Sequence, residues 1–156
     1  SVLADLSSEL GYEVPGGAAA VAASGRALRA SNYVSSAGRL PFVNGALPAT
    51  GKVGDGGGLV SAEQAEELAR LCALNALAAA RGVIGSLDKI TQVVKVTAFV
   101  ASDPSFTGQP AVANGASVFL GRVFGDLGIH ARSAVGVAAL PLDAPVEIEF
   151  VFEVAD

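Results

Sequence analysis

The spacing of hydrophobic and polar residues predicts the secondary structure of most of the chain. In residues 146–154, glutamates alternate with valine, isoleucine and phenylalanine. Alternation of this kind is typical of a β-strand with one face on the core and the other face open. The segment therefore predicts a half-buried strand whose apolar side chains point into the core.

Four further strands are expected from shorter apolar runs. Residues 27–29 and 33–36 predict two strands joined by a polar two-residue turn, and residues 131–139 predict another. Residues 87–101 predict the longest strand, which a proline follows closely. In this strand we expect Val94, Val96, Ala98 and Val100 to point to one face of the sheet and Val93 to point to the other face.

Two helices are predicted from a spacing of about 3.6 residues between apolar positions. Residues 61–84 carry their charges on one narrow stripe, and Ser61 with Gln64 fits the capping box found at the start of helices. Residues 109–124 predict the second helix, with a proline in its first turn. A short helix is also expected at residues 2–10.

The order of these elements, β-β-α-β-α-β-β, predicts an α+β fold, a two-layer sandwich in which both helices cover one face of a mixed sheet. The chain divides into an N-terminal helix with its connecting segment, residues 1–26, and one main domain, residues 27–156. Residues 140–145 link the last two strands. Because this link is short, we expect those strands to be antiparallel neighbours.

Composition limits the possible partners. The 156 residues are 51% hydrophobic and 16% charged, which predicts a folded chain that hides part of its apolar surface in an oligomer. The net charge of −5 argues against binding to the phosphate backbone of a nucleic acid. No apolar run reaches the length of a membrane helix, so no membrane partner is expected.

The single cysteine and the single histidine restrict the chemistry. They exclude a disulfide within the chain and a site built from several Cys or His ligands, so we expect no metal. The N-terminal segment lacks the basic start and the apolar stretch of a secretory signal. These features together predict a cytoplasmic protein.

Two charged residues are the main candidates for a functional site. Arg132 lies among small and apolar neighbours near the start of a predicted strand, where its planar guanidinium can hold a carboxylate through two hydrogen bonds. It can equally pair with a glutamate at a strand end or with a neighbouring subunit. Glu147 can act as a general base or orient a water, although a glutamate on an alternating strand is commonly just a solvated side chain.

Four other residues are considered as candidates for the site. Asn114 can donate to a ligand carbonyl or cap a neighbouring element, and Asn75, in an apolar helix, is expected to bridge backbone groups. Cys72 lies on the apolar side of the same helix and is interpreted as a small hydrophobic residue. His130 follows a glycine-containing turn and is interpreted as a loop residue.

The C-terminal segment resembles the signature of the YjgF/Rid family of reactive-intermediate deaminases, which includes proteins labelled endoribonuclease L-PSP. Residues 131–151 read ARSAVGVAALPLDAPVEIEFV, similar to the family pattern Arg-Ser-x-Val-x-Val, Leu-Pro and Val-Glu-Ile-Glu. Residues 33–41, YVSSAGRLP, resemble its strand ending in Ser-Gly-Gln-Leu-Pro. The central helix and strand and the helix at 109–124 follow in the family's order, so the resemblance covers residues 27–154.

The resemblance implies a homotrimer with the fold of the small trimeric chorismate mutase and with ligand clefts between subunits. It implies hydrolysis of enamines or imines derived from amino acids to 2-keto acids and ammonia, without metal or cofactor. Arg132 matches the arginine that holds the substrate carboxylate, Glu147 the glutamate that positions or activates water, and Asn114 an asparagine of the cleft. The further cleft positions are Ser133, Ala134, Ala37 and Gly38.

Departures from the family pattern leave other functions open. The family's cleft serine is Ala37 here, its glutamine is Arg39, a cysteine two residues after the arginine is Ala134, and a tyrosine is Ser24. One alternative is a trimer that binds a small carboxylate without turning it over. Another is an endoribonuclease, as some members are labelled. Chorismate mutase chemistry would need several cations, for which Arg132 and Arg39 are the candidates.

Overall fold

The predicted α+β architecture is confirmed by the computed structural model, which describes residues 1–2, 5–6, 11, 13–14 and 25–156. Within residues 25–156, five strands and two α-helices follow the predicted order. The strands are β1 (Ala27–Ala30), β2 (Tyr33–Ser36), β3 (Ile90–Ala101), β4 (Ala131–Val137) and β5 (Val146–Val154), and the helices are α1 (Ala62–Ile84) and α2 (Gln109–Phe124). Short 3-10 turns precede the last three strands at Leu87–Lys89, Gly125–Gly128 and Pro141–Asp143.

The strands form one mixed sheet in the order β1-β2-β5-β3-β4. β5 is antiparallel to its neighbours β2 and β3, whereas β4 pairs in parallel with β3 at the edge of the sheet. The prediction that the last two strands are neighbours is therefore wrong. Because β4 already ends at Val137, residues 138–145 are long enough to cross the end of β3, a step of about 10 Å between next-nearest strands.

Both helices cover the same face of the sheet. α1 packs against β1, β2 and β5, and α2 packs against β3 and β4. The alternating apolar side chains of β5 point to the helices and are at most 2% exposed, as predicted for Val146, Ile148, Phe150, Phe152 and Val154. The rings of Phe150 and Phe152 stack with their centroids 6.0 Å apart, which puts the centre of the core over β5.

The opposite face of the sheet, called the open face below, lacks this cover. Strand alternation puts Leu28, Tyr33 and Val135 on it, because each is next to a residue that points to the helices. These three side chains are 70%, 47% and 44% exposed. The described part of the chain therefore leaves apolar surface exposed on three different strands.

The part of β3 that pairs with β5, residues 90–100, contains two residues more than β5 itself. The register between the two strands shifts at Thr91 and again at Val94, and each is an extra residue. A bulge of this kind interrupts the alternation of side chains. Val93 is consequently fully buried while Val94 is only partly buried, so the prediction for this pair is wrong.

α1 begins and is anchored as its polar residues predict. The Oγ of Ser61 accepts a hydrogen bond from the backbone N–H of Gln64 at 3.1 Å and caps the helix. Midway along the helix, Nδ2 of Asn75 donates to the carbonyl oxygens of Leu40 at 2.9 Å and Phe42 at 3.1 Å. The backbone-bridging role expected for Asn75 is confirmed, and it fixes the segment that follows β2.

The two helices touch most closely at Gly115 of α2. A Cβ atom at this position would lie 1.8 Å from the carbonyl oxygen of Glu66 in α1 and 2.7 Å from its carbonyl carbon. Both atoms belong to the backbone and cannot turn aside as a side chain can. Any residue other than glycine therefore forces the helices apart.

Gly115→Ala is expected to lower the free energy of unfolding by about 1–3 kcal/mol, the range measured for overpacked sites. The matched control is Gly121→Ala in the same helix, where a Cβ atom meets nothing within 4 Å. There the alanine should raise stability by about 0.4–1 kcal/mol because it restricts the unfolded chain. Urea unfolding measures both, and equal effects of the two variants would contradict the close helix contact.

Part of the predicted N-terminal organisation lies outside the described residues. Of the helix expected at 2–10, Val2, Asp5 and Leu6 are helical, and the other positions are not among those the structure describes. Ser24 and most of the connecting segment also lie outside them, so the division of the chain at residue 26 stays a prediction. No helix in the described part of the chain is long and apolar enough to cross a membrane.

Candidate functional site

Arg132 is held by two polar side chains of α2. It pairs with Val96, which is fully buried under the helices, so the Arg132 side chain points to the helix face of the sheet. Its Nη1 donates to Oδ1 of Asn114 at 2.7 Å and to Oγ of Ser117 at 3.2 Å. Both hydrogen bonds of Arg132 to described residues use Nη1, which leaves the edge formed by Nε and Nη2 for a ligand.

His130 extends this group. Its Nδ1 lies 2.6 Å from the carbonyl oxygen of Gly128, and its Nε2 lies 2.9 Å from Oγ of Ser117. A carbonyl oxygen can only accept, so we assign the proton to Nδ1, and Nε2 then accepts from the Ser117 hydroxyl. The interpretation of His130 as a plain loop residue missed this contact. Arg132, Asn114, Ser117 and His130 are called the arginine cluster below.

Ser117 is the member of this cluster that the sequence analysis did not single out. It lies three residues after Asn114, so both side chains face the same side of α2. That spacing is a signal that could have found it. The hydrogen bonds that Nη1 of Arg132 donates to Asn114 and Ser117 fix the direction of the guanidinium.

Glu147 lies against Gly38 and forms a second group with it, the glutamate cluster; the place of Ala37 in a ligand cleft stays a prediction. A Cβ atom on Gly38 would lie 2.8 Å from Cδ and 2.9 Å from Oε2 of Glu147, so a larger residue there would push this carboxylate out of its position. Burial raises the pKa of Glu147, and the negative charge of Glu149 raises that pKa further. A carboxylate with a raised pKa is a stronger base than one in open water.

The two clusters do not meet within one chain. Arg132 neighbours Val96 on the helix face, whereas Glu147 neighbours Phe99, three residues further along β3 and on the open face. Their Cα atoms are separated by about 10 Å across two strand spacings and by about 10 Å along the strands. Because the sheet lies between them, a small ligand cannot touch both residues of the same chain.

Ser133 and Ala134, the other predicted cleft residues of β4, point to opposite faces. Ser133 lies on the open face, where its Oγ accepts a hydrogen bond from Nζ of Lys95 at 3.3 Å. Ala134 is on the helix face and packs against the hydrophobic core. Neither touches the guanidinium of Arg132 through a described hydrogen bond, and their place in a ligand cleft stays a prediction.

A groove of about 370 Å³ lies between α1 and α2, and Asn114 forms part of its wall. Glu63, Glu66 and Glu67 line it from α1. Two arginines, Arg70 and Arg122, line it as well, and Arg70 forms an ion pair with Glu67 at 3.7 Å. The wall of the groove is therefore mixed in charge, and the guanidinium of Arg132 is not part of it.

Cys72 faces the core and has no exposed surface. Burial raises the pKa of its thiol, and the charge of Glu147 raises it further, so the thiol stays protonated. A buried neutral thiol is not a nucleophile, which agrees with its interpretation as a small hydrophobic residue. Among the residues that the structure describes, no three His, Cys, Asp or Glu side chains are placed to hold a metal ion together.

Comparisons with known proteins relate the whole chain to one group. A family model described as Endoribonuclease L-PSP matches residues 18–154. Protein TCP17 of Trypanosoma cruzi is 42% identical over 131 residues, which are 80% of this chain and 82% of TCP17.

Solved structures extend the likeness to the fold. The protein Atu1372 of Agrobacterium tumefaciens, whose function is unknown, is 37% identical, with a TM-score of 0.89 over 99% of this chain and 94% of Atu1372. RidA from an Antarctic Psychrobacter is 30% identical, with a TM-score of 0.57 over 87% of this chain and 92% of RidA.

Proposed function

The chain belongs to the endoribonuclease L-PSP family, the YjgF/Rid family that its C-terminal segment resembles, and on this basis we propose that it hydrolyses enamines or imines derived from amino acids. The products are a 2-keto acid and ammonia. The observation that carries the proposal is the guanidinium of Arg132, which two side chains of α2 hold in place while one edge remains open. The substrate class follows from that edge and from the family.

Arg132 binds the substrate carboxylate in this proposal. The Nε and Nη2 hydrogens form a planar fork that matches the two oxygens of a carboxylate. Because Asn114 and Ser117 already hold Nη1, little side-chain freedom is lost when the ligand binds. Asn114 and Ser117 are positioning residues, since they act on the ligand through Arg132.

Glu147 supplies the base. It takes a proton from a water molecule as the water oxygen bonds to the imine carbon. The C=N pair of electrons moves onto the nitrogen, which takes up this proton from Glu147 and becomes the amine of a carbinolamine. Glu147 then takes the proton of the carbinol oxygen and passes it to the amine, which leaves as ammonia when the C–N bond breaks and the oxygen closes to the keto group. The raised pKa of Glu147 supports this role, because a base works best when its pKa approaches the working pH.

The reaction needs both clusters in one cleft, and within one chain the sheet separates them. We therefore assign Arg132 and Glu147 of each cleft to different copies in a homotrimer. The exposed apolar residues of the open face support this assembly, because association would cover them. Sedimentation should then give about three times the 15.5 kDa mass of the chain.

Two other functions compete with hydrolysis. A carboxylate-binding trimer would use Arg132 in the same way, but it would have no catalytic activity that depends on Glu147. The assay of Glu147→Gln distinguishes these two functions. A ribonuclease would need cations along a phosphate backbone, and the net charge of −5 opposes that. A cytoplasmic location and the absence of a cofactor stay predictions.

Arg132→Lys is expected to weaken the binding of pyruvate, used as a probe of the 2-keto acid product, by about 10–150-fold. The reason is that lysine lacks the planar fork, and one hydrogen bond to a charged group contributes about 1.5–3 kcal/mol. Isothermal titration calorimetry measures the dissociation constant.

The control for this substitution is Arg81→Lys. Arg81 is exposed in the last turn of α1 and lies outside both clusters, so the affinity for pyruvate should not change. Should Arg132→Ala bind pyruvate as tightly as the wild type, Arg132 has a structural role and the proposed substrate class is wrong.

A further inference from the structure

Two arginines outside both clusters lie beside Ala37 and Gly38, the two residues that follow β2. Arg26 precedes β1, and its carbonyl oxygen accepts a hydrogen bond from the N–H of Ala37 at 2.7 Å. Arg39 comes directly after Gly38 and exchanges two backbone hydrogen bonds with Ile148 of β5, at 2.8 and 3.0 Å. The backbones of both arginines are thus tied to the sheet.

Their guanidinium groups contain buried nitrogens that have no acceptor. Nη2 of Arg26 and Nε of Arg39 are both shielded from solvent, and neither has a hydrogen-bond partner among the described residues. The ion pairs found among the described residues use three other cations, which are Arg29, Lys52 and Arg70. Buried N–H groups of a charged side chain are seldom left unpaired, because desolvation without a partner is costly.

The two groups also carry like charge. Burial lowers the pKa of Arg39, and the positive charge of Arg26 lowers that pKa further. The Cys72 thiol, on α1, is the other group that acts on Arg39, and it stays protonated because burial raises its pKa. Neither arginine forms an ion pair with a described residue.

Glu147 does not fill that role. It is next to Ile148 on β5, but successive residues of a strand point to opposite faces, so its side chain is directed away from that of Arg39. A carboxylate in contact with two guanidiniums would have its pKa lowered. The pKa of Glu147 is instead raised by burial and by Glu149.

We propose that Arg26 and Arg39 form a binding site for the oxyanion of a small ligand, a carboxylate or a phosphate. Such a group carries the negative charge that the pair lacks, and its oxygens accept from the buried Nη2 and Nε hydrogens. Within one chain the site is separate from Arg132, which lies on the far side of β3 at the edge of the sheet. It does not depend on the proposed hydrolysis.

Thermal unfolding in phosphate, in acetate and in chloride at equal ionic strength tests the site. An anion that binds the folded chain should raise the melting temperature of the wild type above its value in chloride, by about 3–6 °C at ten times the dissociation constant. Arg39→Gln and Arg26→Gln should each abolish the rise in phosphate. Acetate is a carboxylate that Arg132 can also bind, so in acetate the same substitutions are compared in a chain that carries Arg132→Ala. Comparison of phosphate with acetate shows which oxyanion the pair prefers.

Two control variants separate this site from other effects. Arg81→Gln removes an exposed arginine and should keep the full rise. Arg132→Ala should also keep the rise in phosphate, even if it loses pyruvate binding, so failure of one site does not imply failure of the other. In chloride, Arg39→Gln should melt at a higher temperature than the wild type, because it relieves the repulsion between the two cations.

The proposal is overturned if the wild type melts at the same temperature in all three salts, or if both glutamine variants respond to phosphate as the wild type does. Loss of the trimer mass in Arg39→Gln, with no anion response in the wild type, would mean that a carboxylate of a second copy pairs with the arginines instead. If one variant fails to fold, the other variant decides.

Discussion

Glu147→Gln is expected to lower the rate of imine hydrolysis by about 10²–10⁴-fold, the usual contribution of general acid–base catalysis. Glutamine keeps the size of the side chain in the narrow space beside Gly38 but cannot take a proton from water. Because the base acts mainly in the transition state, pyruvate should bind nearly as in the wild type. Release of ammonia and keto acid from freshly generated 2-aminoacrylate measures the rate.

The pH profile of the same assay provides a second readout. Glu147 acts as a carboxylate, so the rate should rise with pH through its raised pKa. Glu149→Gln removes the charge that contributes to the raised pKa, and the rise should move to lower pH while the maximal rate is retained.

Spontaneous hydrolysis of the substrate is fast, so reactions without protein and with Arg132→Ala set the background. If Glu147→Gln hydrolyses the imine as fast as the wild type, and both exceed that background, another group handles the water. If the wild type does not exceed the background, the chain binds carboxylates without turning them over.

Mixed trimers assembled from two inactive variants should regain activity. Arg132→Ala copies keep Glu147 and Glu147→Gln copies keep Arg132, so a cleft between two different copies can hold both native residues. Every mixed ring of three contains one such cleft, and random assembly of equal amounts restores about a quarter of the native clefts. The variants are unfolded together, refolded together and assayed with 2-aminoacrylate.

Controls for this complementation use the double variant that lacks both residues. Its mixtures with either single variant contain no native cleft and should stay at background. If the two single variants refold into mixed trimers without any recovery, Arg132 and Glu147 of a cleft come from one copy. In that case the sheet does not prevent Arg132 and Glu147 of one copy from acting in the same cleft.

Local patterns in the sequence predicted the elements of the fold but not how the strands are ordered. The alternation in β5 depends on neighbouring residues only, and its five apolar side chains are buried as expected. The order β1-β2-β5-β3-β4 depends on where β5 enters the sheet, which a short link alone does not determine. The faces predicted for Val93 and Val94 were wrong for a similar reason. A bulge depends on how two strands pair, so the sequence of one strand does not show it.

The candidate site was predicted one residue at a time, and the structure adds the relations between the residues. Arg132 and Glu147 were found through a motif, but the motif does not state that they lie on opposite faces of the sheet. The placement of Arg26 and Arg39 beside Ala37 and Gly38 likewise arises only when β1 and β5 flank β2. No period in the sequence brings these two residues together.

The two extra residues of β3 also affect how relatives of this chain can be aligned. Thr91 and Val94 have no partners on β5, so a relative can lose either one by deletion and still place the same side chains in its core. Its strand would then show a different alternation. An alignment of such sequences without a gap in β3 would match a core residue with a surface residue. It would therefore underestimate the similarity of two chains whose folded strands are alike.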